Sequence, residues 1–176
     1  YFSSPSSSSS FSSSSHLLTI SSNSGIPKFV SSKFWTTYKG GGWWGNGGRP
    51  GATGRRGVVA TDATYHGNTS LVSQLSRSNV PELGFGLEQF FRFIPAPDSY
   101  RTPDPDAASL VAALEREIAA LEADGTGFAA LLICPMFLNE GFPDIPDGWL
   151  KPVAEVVRRA GGVLICDAVQ SGFGRT

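Results

Sequence analysis

The sequence predicts an α/β domain, a mostly parallel sheet with flanking helices, preceded by a disordered Ser/Gly-rich N-terminal region. Three observations lead there. The run Phe128-Ala129-Ala130-Leu131-Leu132-Ile133 is continuously apolar, which is how a strand covered on both faces reads. A helical repeat through Trp149, Val153, Val156 and Val157 follows it, and then a second apolar run, Val163 to Cys166, so strand, helix and strand succeed one another as parallel pairing requires. Finally, no acidic residue precedes Asp62, and serine and then glycine dominate the opening stretch, which divides residues 1–50 from a domain over 51–176.

The opening from Tyr1 to Ser24 is serine-rich with few apolar residues, too few to offset its ordering entropy, so disorder is expected. Serine without acid resembles an organellar transit peptide, but arginine and an amphipathic period are missing, which favours a low-complexity tail. Gly40, Gly42 and Gly45 fit the spaced glycines of a dinucleotide site by letter. More glycine and Pro50 stand where the helix of such a site would open, so a loop carrying Trp43 and Trp44 is expected.

Order is expected from Gly57. Val58-Val59-Ala60 reads as a strand, Thr61 to Gly67 as a polar turn, and Thr69 to Leu75 as the start of a helix capped by Asn68. The stretch from Ser76 to Pro105, broken by prolines, reads as a long irregular connection anchored by Phe85, Phe90, Phe91 and Phe93. Asp106 should cap a helix through Leu110, Leu114, Ile118 and Leu121, ended by Gly125, with Glu115, Glu117 and Glu122 on its solvated side. Asp147 or Gly148 should open the next helix, and Gly161-Gly162 should close it before the strand that ends at Asp167. If the early strand joins the same sheet, Tyr65 and Asp167 meet at its carboxyl edge, where open α/β sheets bind ligands.

Composition narrows the function. Six basic residues before Asp62 balance an acidic remainder to a net charge of −1, and they are scattered among glycines, so no nucleic-acid stripe forms. Cys134 and Cys166 each end an apolar run and read as buried free thiols of a reducing, cytoplasmic compartment. His16 and His66 lie at no metal-ligand spacing, and no apolar run is long enough to span a membrane. Asn68-Thr69-Ser70 matches a glycosylation acceptor by chance.

The motif Tyr65-His66-Gly67-Asn68-Thr69, together with Asp167-Ala168-Val169-Gln170 and Gly172-Phe173-Gly174-Arg175-Thr176, resembles the class III aminotransferases that use pyridoxal 5′-phosphate. The resemblance runs from about Gly51 to Thr176. The loop Cys134 to Asp144 is similar to the branch holding alanine:glyoxylate transaminase-like enzymes and amino-phosphate phospho-lyases. The resemblance implies part of a fold-type I large domain, in an enzyme that moves an amino group from an amino donor to a 2-oxo acid or aldehyde and works as a homodimer. A phospho-lyase of the same family, or a noncatalytic α/β remnant, is the alternative. By the same resemblance Asp167 would hold the pyridinium nitrogen, Val169 and Tyr65 would cover the two ring faces, and Gln170 would donate to the phenolate oxygen. His66 and Gly67 would shape the turn that carries Tyr65.

The chain departs from the family pattern in four places. Ala168 replaces a glutamate, and Cys134 an acidic residue before proline. The region before Gly51 lacks the expected phosphate loop, and none of Lys28, Lys33, Lys39 and Lys151 matches the cofactor-attaching lysine. A fragment without catalytic activity is therefore expected, with no catalytic residue in the chain.

Overall fold

The computed structural model describes residues 17–21, 27–31, 53–68, 72–77, 88–104 and 106–172. Strands β1 (Leu17–Ser21), β2 (Pro27–Ser31), β3 (Gly57–Thr61), β4 (Phe91–Ile94), β5 (Phe128–Ile133) and β6 (Val163–Asp167) form one sheet in the order β2-β1-β6-β5-β3-β4. Helix α1 (Ala108–Ala123) links β4 to β5, and α2 (Leu150–Arg159) links β5 to β6. The block β6-β5-β3-β4 is parallel, as expected.

Alternation along the strands sends side chains to two clusters. Val59, Leu131 and Ile133 pack with Leu114, Leu121, Val153 and Val157 of the helices. Val58, Ala60, Ala130, Leu132 and Ile165 face the other way, against Leu75 and Phe91. Every residue of β5 is buried, which explains why it reads as an unbroken apolar run rather than an alternating one.

Three local expectations need correction. Leu17–Ser21 is a strand, not disordered: it pairs antiparallel with β6 in the register Leu18↔Asp167 and Ile20↔Ile165, and β2 pairs with it in turn. The alternation of Leu18 and Ile20 with Thr19 and Ser21 suits a strand that satisfies the backbone groups β6 would otherwise leave unpaired. The rest of the opening stretch, including the glycine-tryptophan loop, lies outside the described residues.

The connection after Ser76 contains a strand, β4, preceded by one turn of 3₁₀ helix at Glu88–Phe90. Four residues stopped by Pro95 leave too short a pattern to be read, and the strand exists because the edge of β3 offers it partners from Val58↔Phe91 to Thr61↔Ile94. Where a helix was expected from Thr69, a 3₁₀ turn spans Val72–Leu75, and residues 69–71 lie outside the described residues.

The helix ends are also set differently. The residue preceding α1 is Ala107, in a left-handed conformation with φ of 54°, and Asp106 makes no cap. Asp104 does that work, its carboxylate accepting the backbone N–H groups of Ser109 and Leu110 and the Ser109 hydroxyl. Helix α2 begins two to three residues after the expected Asp147 or Gly148, with Trp149 at its cap position; the indole N–H of Trp149 donates to the Asp104 carbonyl at 2.6 Å. One residue thus fastens the starts of both helices together. Glu115 and Glu122 pair on the surface with Arg159 and Arg55, in keeping with a solvated face.

Candidate active site

The carboxyl ends of β3, β5 and β6 open on one cleft. It is lined by Thr64, Tyr65, His66, Gly67, Cys134, Leu138, Asn139, Glu140, Asp167, Val169 and Gln170. All six residues expected at a ligand site, Tyr65, His66, Gly67, Asp167, Val169 and Gln170, are therefore brought together.

Asp167 closes β6 and is 7% exposed, so its carboxylate needs built-in donors. It has two. His66 Nδ1 donates to Oδ2 at 2.9 Å, and the Val169 backbone N–H donates to Oδ1 at 3.2 Å. Because a carboxylate only accepts, Nδ1 carries the imidazole hydrogen, which leaves Nε2 to accept the Thr64 hydroxyl at 3.0 Å. The His66 side chain is 1% exposed and held at both nitrogens.

The turn that carries this imidazole is pinned from below. Ser76 accepts the His66 backbone N–H at 2.9 Å, and its hydroxyl lies 3.3 Å from the Gly67 carbonyl and 3.2 Å from that of Val72. Gly67 has φ of 119°, a conformation side chains rarely adopt, and this lets the chain reverse directly after His66. Tyr65, one residue earlier, is 38% exposed at the rim while Thr64 and His66 point inward. An aromatic left half-open beside a buried carboxylate is a ring-sized platform.

On the far side, the segment after β5 turns sharply. Phe137 and Phe142 take left-handed φ values of 47° and 53°, and the Phe142 N–H donates to the Phe137 carbonyl at 3.0 Å. Phe137 is fully buried and meets Trp149 edge-on at 5.9 Å, which anchors the turn to the core. The turn presents Leu138, Asn139 and Glu140 to the cleft. Thr61 donates its hydroxyl to Glu140 Oε1 at 2.7 Å.

Both cysteines are free, as expected. Burial pushes the Cys134 thiol up, and Asp167 and Glu140 add to the rise. Cys166 is pushed up to about 11, by burial first and then by Cys134 and Asp167.

Cys134, Leu138, Asn139 and Glu140 were not singled out as site residues, nor was Thr64. Their signal is topological: β5 lies beside β6 and parallel to it, so whatever follows Ile133 must arrive at the same edge as Asp167. Among the described residues no group of three His, Cys, Asp or Glu is placed to hold a metal, and no helix is long and apolar enough to cross a membrane.

The aminotransferase class-III family matches residues 42–176. The match starts ahead of the expected Gly51, so it takes in part of the glycine-tryptophan stretch. An alanine–glyoxylate aminotransferase 2-like protein of Drosophila melanogaster is 35% identical over 133 residues, covering 70% of this chain and 27% of that protein. Among solved structures, a phospholyase from Arthrobacter in complex with phosphoethanolamine is similar with 37% identity and a TM-score of 0.60, over 70% of this chain and 30% of that one. A taurine:2-oxoglutarate aminotransferase from Bifidobacterium kashiwanohense, in complex with PLP and glutamate, shows 29% identity and a TM-score of 0.56, over 70% and 29%. The chain thus spans 27–30% of the length of these proteins. The expected fold, part of a fold-type I large domain, holds over the parallel block and its two helices. With the sheet order, the Tyr65–His66 turn and the Asp167 strand end in one cleft, the chain belongs to the class-III aminotransferase family.

Proposed function

We propose that this cleft holds the ring of pyridoxal 5′-phosphate in the large domain of a transaminase, which moves an amino group from a small-molecule amino donor to a 2-oxo acid or aldehyde. One observation carries the reading: Asp167 is buried at the end of β6 and fixed on both oxygens by donors from its own chain. Two donors orient a carboxylate without discharging it, so it can hold a cation in a poorly hydrated place. A protonated pyridine nitrogen is such a cation, and the half-exposed Tyr65 supplies an aromatic face beside it. The residues present therefore fit the ring.

When bound, that cofactor supplies an electron sink for the substrate carbon being deprotonated. The chain's own part is to bind and orient. Asp167 would keep the ring nitrogen protonated, Tyr65 and Val169 would cover the two faces, and Gln170 would donate to the ring oxygen. His66 would set the carboxylate's direction, and Gly67 the turn.

Lys151 is exposed in the first turn of α2 and does not line the cleft. Residues 1–176 are accordingly proposed to bind the ring without supplying the lysine that attaches it, and so to be inactive alone. A homodimer in a cytoplasmic, reducing compartment completes the reading, the compartment resting on the two free thiols. The likeness to the Arthrobacter phospholyase favours a second reading, release of phosphate from an amino-alcohol phosphate with the same ring-binding residues.

The test is a titration of the chain with pyridoxal 5′-phosphate, followed by absorbance and by borohydride reduction with peptide mapping. Wild type should bind saturably, Asp167→Asn should bind about 100-fold more weakly because one member of a buried charge pair is lost, and Lys151 should carry no label. Equal affinity of the two proteins, or a labelled Lys151, would contradict the proposal.

A further inference from the structure

The turn Tyr65-His66-Gly67 would be a loose support if only its own residues held it, because Gly67 sits at φ of 119° and glycine passes easily between conformations. A side chain from outside the turn ties it down. The Ser76 hydroxyl accepts the His66 backbone N–H at 2.9 Å and shares its own hydrogen between the carbonyls of Gly67 at 3.3 Å and Val72 at 3.2 Å. The His66 N–H and the Gly67 carbonyl belong to the two peptide planes that flank this pair of residues, so one oxygen fixes both planes.

Ser76 is itself a fixed point. It is 1% exposed, and its backbone N–H donates to the Ser73 carbonyl at 3.1 Å at the end of the 3₁₀ turn Val72–Leu75. Its neighbour Leu75 is fully buried in the cluster that holds Ala60 of β3 and Ile165 of β6. Those are the strands that lead into the His66 turn and end at Asp167. His66 Nδ1 must meet Asp167 Oδ2, 2.9 Å away, and such a contact weakens steeply when the donor shifts or turns. Thr64 belongs to the same turn as His66, so its contact orients the ring within the turn, while Ser76 joins the turn to the core behind it.

We propose that Ser76 is a positioning residue of the ring site: by holding the His66 backbone it sets the imidazole against Asp167 and keeps that carboxylate aimed at the ring nitrogen. The inference rests on the ring-site reading and deepens it. Ser76 lies behind the turn, not among the residues that line the cleft, so its effect on a ligand passes through His66.

Two readouts on the full chain separate positioning from a general loss of stability. One is the dissociation constant for pyridoxal 5′-phosphate, from an absorbance titration. The other is the pair of nitrogen-15 shifts of the neutral His66 ring, which stand well apart while the hydrogen stays on Nδ1. Ser76→Ala removes the acceptor of the His66 N–H. It should weaken binding about tenfold and draw the two nitrogen shifts together as the imidazole loses its single tautomer. Ser76→Cys, close in size but a weaker acceptor, should move both readouts the same way by less. It decides the matter should Ser76→Ala lose the wild-type circular dichroism spectrum. Either readout unchanged in a folded variant overturns the positioning role, even where the urea midpoint has fallen. Failure of wild type to bind pyridoxal 5′-phosphate overturns the ring reading instead, and the nitrogen shifts, which need no ligand, then decide on Ser76 alone.

Discussion

His66 Nδ1 and Asp167 Oδ2 stand 2.9 Å apart although 101 residues separate them in sequence, and both belong to one cleft. The imidazole is held on its other nitrogen by Thr64, so the direction of the Asp167 carboxylate is set by a rigid chain of contacts that begins in the turn after β3. A carboxylate aimed in this way binds a cation better than a freely rotating one, because the ordering has been done before the ligand arrives.

Removing the imidazole should therefore weaken ligand binding without touching the ligand. His66→Ala is expected to raise the dissociation constant for pyridoxal 5′-phosphate about 10- to 100-fold, the range for losing a hydrogen bond to a charged group. His66→Asn, whose amide N–H stands close to the place of Nδ1–H, should recover part of the loss. Equal constants for the alanine variant and wild type in an absorbance titration would show that the contact does not orient Asp167.

Packing at the entrance of β6 gives an independent test of the fold. A Cβ added to Gly162 would lie 2.3 Å from Cε1 and 2.8 Å from Cδ1 of Phe128, whose ring is fully buried. Gly162→Ala should cost about 3 kcal/mol in urea unfolding, at the upper end for overpacking, since the ring has no solvent to move into. Phe128→Leu in the same background should restore part of it, a non-additive outcome that distant sites do not give.

Alkaline stability should depend on Cys166. Its folded value, about 11, lies above the ordinary thiol value of 9.0, so below about pH 9 the thiol is protonated in both states and no penalty arises. Between about pH 9 and 11 the unfolded chain releases the proton more readily, and stability falls as pH rises. Urea midpoints of wild type and Cys166→Ala, compared at about pH 8 and about pH 11, should shift against wild type at the higher pH. A constant difference would show that the thiol is not held protonated by the fold.

The elements that could be read in advance share a cause. β5 and the inner face of α2 bury contiguous apolar side chains and β6 at least half-buries its own, so their patterns are written locally in Phe128–Ile133, Val163–Cys166 and Val153, Val156 and Val157. β1 and β4 hide because each is short and owes its existence to a neighbour's unpaired edge. The cap of α1 hides for a similar reason: Asp104 and Asp106 are equally good acceptors by residue type, and only the path of the loop, fastened by Trp149 to the Asp104 carbonyl, selects the first.

For the site the division is sharper. The sequence by itself placed Tyr65 and Asp167 at strand ends, because strand-to-turn transitions are local properties of the chain, and the resemblance of its motifs to the class III family added His66, Gly67, Val169 and Gln170. Tertiary structure alone decided that His66 grips Asp167 and that Thr61 holds one oxygen of Glu140. Those facts depend on which strands lie side by side, and hydrogen bonds formed across a sheet edge leave no pattern along any one segment.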